Sequence, residues 1–217
     1  MIKSFHFFPE HRLHSAMVSS DHELSYLHIP VNASSWGKQV FARAGFRPNR
    51  APEIPDSHKI IVWLRDPVER WLSGLATWLT YRLPQHTGLD FVRNNLALLD
   101  TIFDTVRLDD HTERQAFFIH ALDWDRCDFW YINSDFRSEF CAYFAQRFGI
   151  DITDHEPQNA SSLSNGKSIP RQYFRSVLLN NPAYLARVCE FFESDRDLIK
   201  QVRFENCQTP VLLGYDS

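Results

Sequence analysis

The residues best suited to chemistry fall in two short stretches, each an apolar run that gives way to polar residues. The first is Tyr26-Leu-His-Ile-Pro30-Val-Asn-Ala-Ser-Ser-Trp36-Gly-Lys38. Ser34 and Ser35 offer hydroxyls, and the backbone from Asn32 and Ala33 to Trp36 offers N–H groups at a helix start, where negative charge is favoured. A plain serine N-cap gives the same pattern. The second stretch is Ile60-Ile-Val-Trp-Leu64-Arg65-Asp-Pro67-Val-Glu-Arg-Trp-Leu-Ser73. Arg65 directly follows the apolar run, and Ser73 lies two helical turns further on. Together they can grip one phosphate, with arginine supplying a planar fork of donors. The alternatives are a salt bridge from Arg65 to Asp66 or Glu69, and an ordinary helix-surface hydroxyl at Ser73. Two such turns suggest a nucleotide-type ligand held at both ends.

These residues need a frame. The pattern predicts a strand over 25–29 and a helix from Ser34 to about Ala44 closed by Gly45. A strand over 59–64 reads as buried on both faces. Asp66-Pro67 opens a helix that runs to about Leu83. Residues 46–58 contain three prolines and read as a loop. Helices are expected over 89–103, 111–122 and 136–148, with a third strand over 129–133. Residues 153–169 are polar and turn-rich, and the C-terminal third reads as helices over 170–179, 182–193 and 195–202. Phe5–Phe8 is a candidate short strand. Strands separated by helices predict an α/β fold, a P-loop-like three-layer α/β/α with a central parallel sheet, as one domain over 1–217. Ligands in such folds bind at the carboxyl ends of the strands, where both polar stretches lie.

Bulk properties limit the partners. The 217-residue chain carries a net charge near −4, so it has no overall attraction to nucleic acid or anionic membrane, and any anion site must be local. Its four cysteines, Cys127, Cys141, Cys189 and Cys207, show no metal-like spacing and read as buried free thiols. His6, His11, His14 and His22 lack the spacing of a metal site and read as solvated or core-edge residues. The N-terminal run is too short for a signal peptide, and no stretch approaches the ~18–20 apolar residues of a membrane span. A soluble, cytoplasmic protein is expected.

His28-Ile-Pro-x-x-Ala-Ser-Ser-Trp36, followed by Val62-x-x-Arg65-Asp-Pro-Val-Glu-Arg-x-x-Ser73, resembles the two cofactor signatures of the sulfotransferases. These enzymes use 3′-phosphoadenosine 5′-phosphosulfate (PAPS). The resemblance makes the first stretch the 5′-phosphosulfate loop and puts Arg65 and Ser73 on the 3′-phosphate positions. Asn159-x-Ser161 through Gly166-Lys167-Ser168-Ile-Pro-Arg171 is similar to the family's late basic loop, which makes Lys167, Ser168 and Arg171 cofactor contacts. The Arg-Asp-Pro-x-Glu-Arg form and the segments around Gln115 and Asn159 look more like the carbohydrate-modifying branch. The resemblance implies transfer of a sulfuryl group to a hydroxyl or amine of a small molecule or glycan, leaving adenosine 3′,5′-bisphosphate, with no metal. Trp36 would stack on adenine or pack in the core.

Val31 stands where the family has a lysine that stabilises charge on the leaving group. Lys38 or Lys167 is the expected replacement. Asn32-x-x-x-x-Gly37-Lys38 has the spacing of a phosphate-binding loop, and a lysine early in a helix points back toward its N-terminus. That spacing also prompts a rival reading, a P-loop kinase, although Gln39 replaces the usual Ser/Thr. A second rival is a non-catalytic nucleotide-binding relative. For the general base, His58 and His86 fall at the wrong end of the sheet. His28 is better placed, and Glu53 and His111 remain candidates.

Overall fold

The computed structural model describes residues 15–82, 88–153, 168–208, 210 and 212. Five strands, β1 (Ser15–Ser19), β2 (Leu24–Leu27), β3 (Arg47–Arg50), β4 (Lys59–Leu64) and β5 (Cys127–Tyr131), form one sheet in the order β3-β1-β2-β4-β5. β2, β4 and β5 pair in parallel, whereas β1 is antiparallel to both β2 and β3. The sheet is therefore mixed, which corrects the all-parallel expectation. β1 lay in a region without a clear alternating pattern. β3, Arg-Pro-Asn-Arg, read as loop because of Pro48, but it occupies the sheet edge, where a proline costs no ladder bond.

The three parallel strands position the site. In β4, Ile61 and Trp63 face one layer while Ile60, Val62 and Leu64 face the other, the period of two expected of a strand. The first layer holds α1 (Ser34–Arg43) and α6 (Phe136–Phe148), which bring Trp36, Val40, Phe41, Phe140 and Phe144 against Tyr26 and Trp63. The opposite layer holds Phe118 and Ile119 of α5 (Gln115–Ile119) and Leu198 and Ile199 of α9 (Glu193–Gln201). Helices thus cover both faces of the sheet.

A third core lies beside the sheet, where α2 (Pro67–Arg82), α3 (Gly88–Arg93), α4 (Leu96–Thr105), α7 (Ser168–Leu179) and α8 (Pro182–Phe191) pack around Trp71, Leu75, Phe103, Phe174 and Phe192. The helix expected over 89–103 is in fact two helices. The side chain of Asn95 accepts the Leu98 N–H at 3.1 Å and starts α4 afresh. The C-terminal helices match expectation to within two residues at each end.

α1 ends as Gly45 predicts. Gly45 is left-handed, its N–H bonds Ala42 O and the Phe46 N–H bonds Phe41 O, so the last carbonyls are satisfied. The four cysteines are free, with Cys141 buried and the others half-buried. No helix among the described residues is long and apolar enough to cross a membrane. The Phe5–Phe8 stretch, His6, His11, His14, His86 and residues 154–167, Asn159 and Lys167 among them, lie outside the described residues.

Candidate functional site

Both polar stretches emerge from the carboxyl ends of adjacent parallel strands. After β2 the chain makes a tight turn in which the Asn32 N–H bonds Ile29 O, and Val31 (φ 69°) and Ala33 (φ 51°) both adopt left-handed backbone. A β-branched residue there costs about 1–3 kcal/mol. The first N–H inside the ladder of α1 is that of Gly37, to Ala33 O at 3.0 Å, and Ala33 provides no side-chain cap. The N–H groups of Ser34, Ser35 and Trp36 therefore lie ahead of the ladder, at the positive end of the helix. No acidic residue occupies the first turn.

Two side chains of this stretch point elsewhere. The Trp36 ring is 2% exposed and stacks on Trp63, with centroids 5.4 Å apart, so it packs in the core and leaves its N–H as its contribution to the turn. Asn32 is fully buried and donates to Trp63 O and to Gln115 Oε1, each at 2.7 Å. Gly37 has a packing reason of its own. A Cβ there would come within 2.5 Å of the Tyr26 hydroxyl and 2.7 Å of the Trp63 ring, so glycine lets α1 lie close on the sheet.

After β4, Asp66 caps α2 by accepting the Glu69 N–H at 2.8 Å. Arg65 then donates through Nη1 to Ser73 Oγ at 3.3 Å, while Ser73 Oγ donates to Glu69 O at 3.0 Å. Among the described residues no carboxylate lies within ion-pairing distance of Arg65. Burial and the neighbouring Arg171 guanidinium lower Arg65 to about 10, with Arg175 adding to the effect and Asp66 opposing it. A cation that is desolvated, crowded by like charge and without an ionic partner is unfavourable until an anion arrives. The pair of Arg65 and Ser73 thus fits a phosphate. Arg171 and Arg175, one turn apart on α7, both pair with Glu69. Ser168 opens the same helix.

A third segment closes the site. Instead of the expected helix over 111–122, residues 108–114 form a loop tied by its own side chains. Asp109 accepts the His111 N–H at 2.8 Å, and Thr112 Oγ1 accepts the N–H groups of Leu108 and Asp109 at 2.7 and 3.0 Å. α5 begins only at Gln115, where buried Asp195 of α9 accepts the N–H groups of Gln115 and Ala116 at 2.8 and 2.7 Å. The loop rests on α2. Arg70, fully buried, donates to the carbonyls of Glu113 and Asp110, and Gly74, one turn on, touches the His111 backbone.

The loop delivers His111 to the sheet edge. Its Nδ1 lies 3.1 Å from Asp109 Oδ2. His111 and Lys38 both lie within electrostatic reach of His28, whose Nδ1 is 2.5 Å from Ser15 Oγ. Burial first, then the charges of Lys38 and His111, hold His28 down at about 3, so it stays neutral at ordinary pH. Burial also lowers the Lys38 ammonium. Lys38, His28 and His111 are thus gathered beside the first turn. Glu53 is not gathered with them. It is exposed and follows β3, whose Arg50 pairs with Ser15, while the Ser15 carbonyl accepts the His28 N–H. That puts Glu53 at the same end of the sheet but about two strand spacings, roughly 10 Å, from β2. His58 sits at the opposite end of β4, bonded to Ser25 Oγ at 3.0 Å.

Gln115 joins the two turns. It is fully buried, and its Oε1 accepts from Asn32 Nδ2 and from the Arg65 N–H at 2.9 Å, while its Nε2 donates to Arg65 O at 2.9 Å and to Asp195 Oδ2 at 3.4 Å. Reading the residues by chemical type missed this junction, together with Asp109, Arg175 and Asp195, and offered Glu69 only as a partner for Arg65, whereas it pairs with Arg171 and Arg175. Comparison of the chain with protein-family models, with curated proteins and with solved structures found no match.

Proposed function

We propose that this chain is a PAPS-dependent sulfotransferase built on a P-loop-like sheet. The observation that carries the reading is the Arg65 guanidinium at the end of β4, bonded to Ser73 and without a carboxylate partner among the described residues, one strand away from a helix start whose first N–H groups lie ahead of the helical ladder. Arg65, Ser73 and Arg171 would hold the 3′-phosphate, with Lys167 and Ser168 as further contacts. Within the turn from Asn32 to Trp36, the backbone from Ala33 onward and the hydroxyls of Ser34 and Ser35 would hold the 5′ end, while Asn32 braces the turn through Ile29 and Gln115. Bound there, the cofactor supplies an activated sulfuryl group.

The remaining roles follow from position. Lys38 supplies positive charge beside the turn, where negative charge grows on the leaving group, in place of a lysine at Val31. His111 is the general base. With Asp109 holding Nδ1, Nε2 is left to accept a proton from the acceptor hydroxyl or amine. His28, neutral down to about 3, is too weak a base for that task at neutral pH and serves as a packed neighbour. The acceptor is a small molecule or glycan. The kinase reading loses its main prompt, because Gly37 answers to Tyr26 and Trp63 and the Asn32 side chain faces Gln115.

A thermal shift tests the reading. Adenosine 3′,5′-bisphosphate at 100 times its dissociation constant should stabilise the chain by about 2.7 kcal/mol, and Arg65→Ala should abolish the effect. Stabilisation by ATP–Mg²⁺ alone would overturn it. Transfer of labelled sulfate from PAPS to a glycan and metabolite panel then separates an enzyme from a non-catalytic relative.

A further inference from the structure

Glu69 is the feature of the site that the proposed function leaves unexplained. It lies one turn after Arg65 and one turn before Ser73, so the three residues share one side of the start of α2. Its carboxylate is 15% exposed and is held by both Arg171 and Arg175. A phosphate at Arg65 and Ser73 would meet this carboxylate, a like charge, at close range. It would also lie next to Arg171, whose charge already bears on Arg65.

We propose that Glu69 is the internal counter-anion of an oxyanion subsite, occupying Arg171 and Arg175 until a multiply charged phosphate at Arg65 and Ser73 draws them over. This rests on the reading of Arg65 and Ser73 as phosphate ligands and deepens it. The exchange has a physical basis. Without Glu69, three guanidiniums would stand together with one fewer carboxylate to offset them, at a cost in the fold. With Glu69, a monoanion gains little by replacing a carboxylate already in place. A dianionic phosphate gains more than the carboxylate can match, because each added charge strengthens its attraction to all three cations. Glu69 thereby sets which anions enter, and Arg175, which pairs with Glu69, becomes a residue of the subsite.

Inorganic phosphate is the probe, titrated calorimetrically into the full chain at pH 8 and fixed ionic strength. Glu69→Gln keeps the shape and removes the charge, and should bind phosphate about tenfold more tightly than the wild type. Arg175→Gln leaves the carboxylate less neutralised and should bind phosphate more weakly. In the Glu69→Gln background Arg175→Gln should weaken phosphate binding by a smaller factor than it does in the wild type, a coupling that independent sites would not show. Equal or weaker phosphate binding by Glu69→Gln, or additive effects in the double variant, overturns the proposal, as does a failure of phosphate to bind any variant. Adenosine 3′,5′-bisphosphate is titrated in parallel. If it binds no more tightly than phosphate while the Glu69 effect persists, the nucleotide reading falls and the counter-anion stands.

Discussion

Replacing Gly74 by alanine isolates the placement of His111 from the rest of the site. The new Cβ would lie 2.1 Å from the His111 carbonyl oxygen and 2.7 Å from its carbon. A carbon needs roughly 3.3 Å from a carbonyl oxygen, so the loop must retreat by about 1 Å. Arg70, one turn earlier on α2, holds the loop through the Glu113 and Asp110 carbonyls, so the movement falls on His111 and Thr112 between them. Overpacking costs about 1–3 kcal/mol, and alanine returns about 1 kcal/mol through its higher helix propensity. The fold should therefore survive with a melting temperature a few degrees lower. Catalysis should suffer far more, because a misplacement of about 1 Å is worth on the order of a hundredfold in rate.

The assay is sulfate transfer at saturating cofactor, read beside bisphosphate affinity and the imidazole NMR resonances of His111. We expect transfer to fall about a hundredfold, the His111 resonances to move, and affinity at Arg65 and Ser73 to change by less than about threefold. Transfer within threefold of wild type with displaced His111 resonances would refute His111 as the base. Unmoved resonances would refute the steric account itself.

Four further outcomes are expected. Lys38→Ala should lower turnover by roughly 10²–10³-fold, the cost of removing one transition-state donor, while leaving bisphosphate binding nearly intact; unchanged turnover would remove Lys38 from catalysis. Gly37→Ala should destabilise the fold by about 1–3 kcal/mol in chemical denaturation even without ligand, since the methyl meets Tyr26 and Trp63; a change confined to nucleotide affinity would restore the phosphate-loop reading. Asp195→Ala strips two N–H groups of α5 and the buried Arg70 of a carboxylate and should cost about 3 kcal/mol by the same measure. His28 binds its proton at about 3 in the folded chain against 6.5 when unfolded, so the unfolded state holds more protons in that window and stability must fall as pH drops through it. His28→Gln should flatten this part of the pH–stability curve relative to wild type, and identical curves would contradict the burial of His28.

The sequence revealed those parts of this molecule that rest on local rules. β4 was legible because five consecutive apolar residues, rich in β-branched and aromatic types and of strand length, match a strand covered on both faces, and α2 was legible because Asp66-Pro67 is a helix opening in its own right. β3 was not, because an edge strand is defined by its partner, and β1 was not, because its five residues between β2 and β3 show no clear alternating pattern. Arg47–Arg50 carries no hydrophobic pattern and pairs with Ser15–Val18 from outside the core. Residues 111–114 of the loop were read as helix for a related reason. What ends the helical pattern there is Asp195, eighty residues away, which caps α5 at Gln115 and leaves the preceding residues to Asp109 and Thr112.

The same distinction separates the ligands of the site from what holds them. Arg65, Ser73 and the turn before α1 are recognisable because their chemistry is local, a cation at a strand end and N–H donors at a helix start. Their relative placement depends on Gln115, whose amide pairs with both the N–H and the carbonyl of Arg65 while accepting from Asn32. An amide is suited to this because it both donates and accepts, and a glutamate in its place would offer no donor for Arg65 O and would set a second carboxylate against Asp195. Gln115→Glu should therefore separate the two turns as well as destabilise the fold. Affinity for a ligand that spans both ends should fall further than affinity for inorganic phosphate, which needs only Arg65 and Ser73. An equal loss for the two ligands would mean that the turns hold their spacing without Gln115.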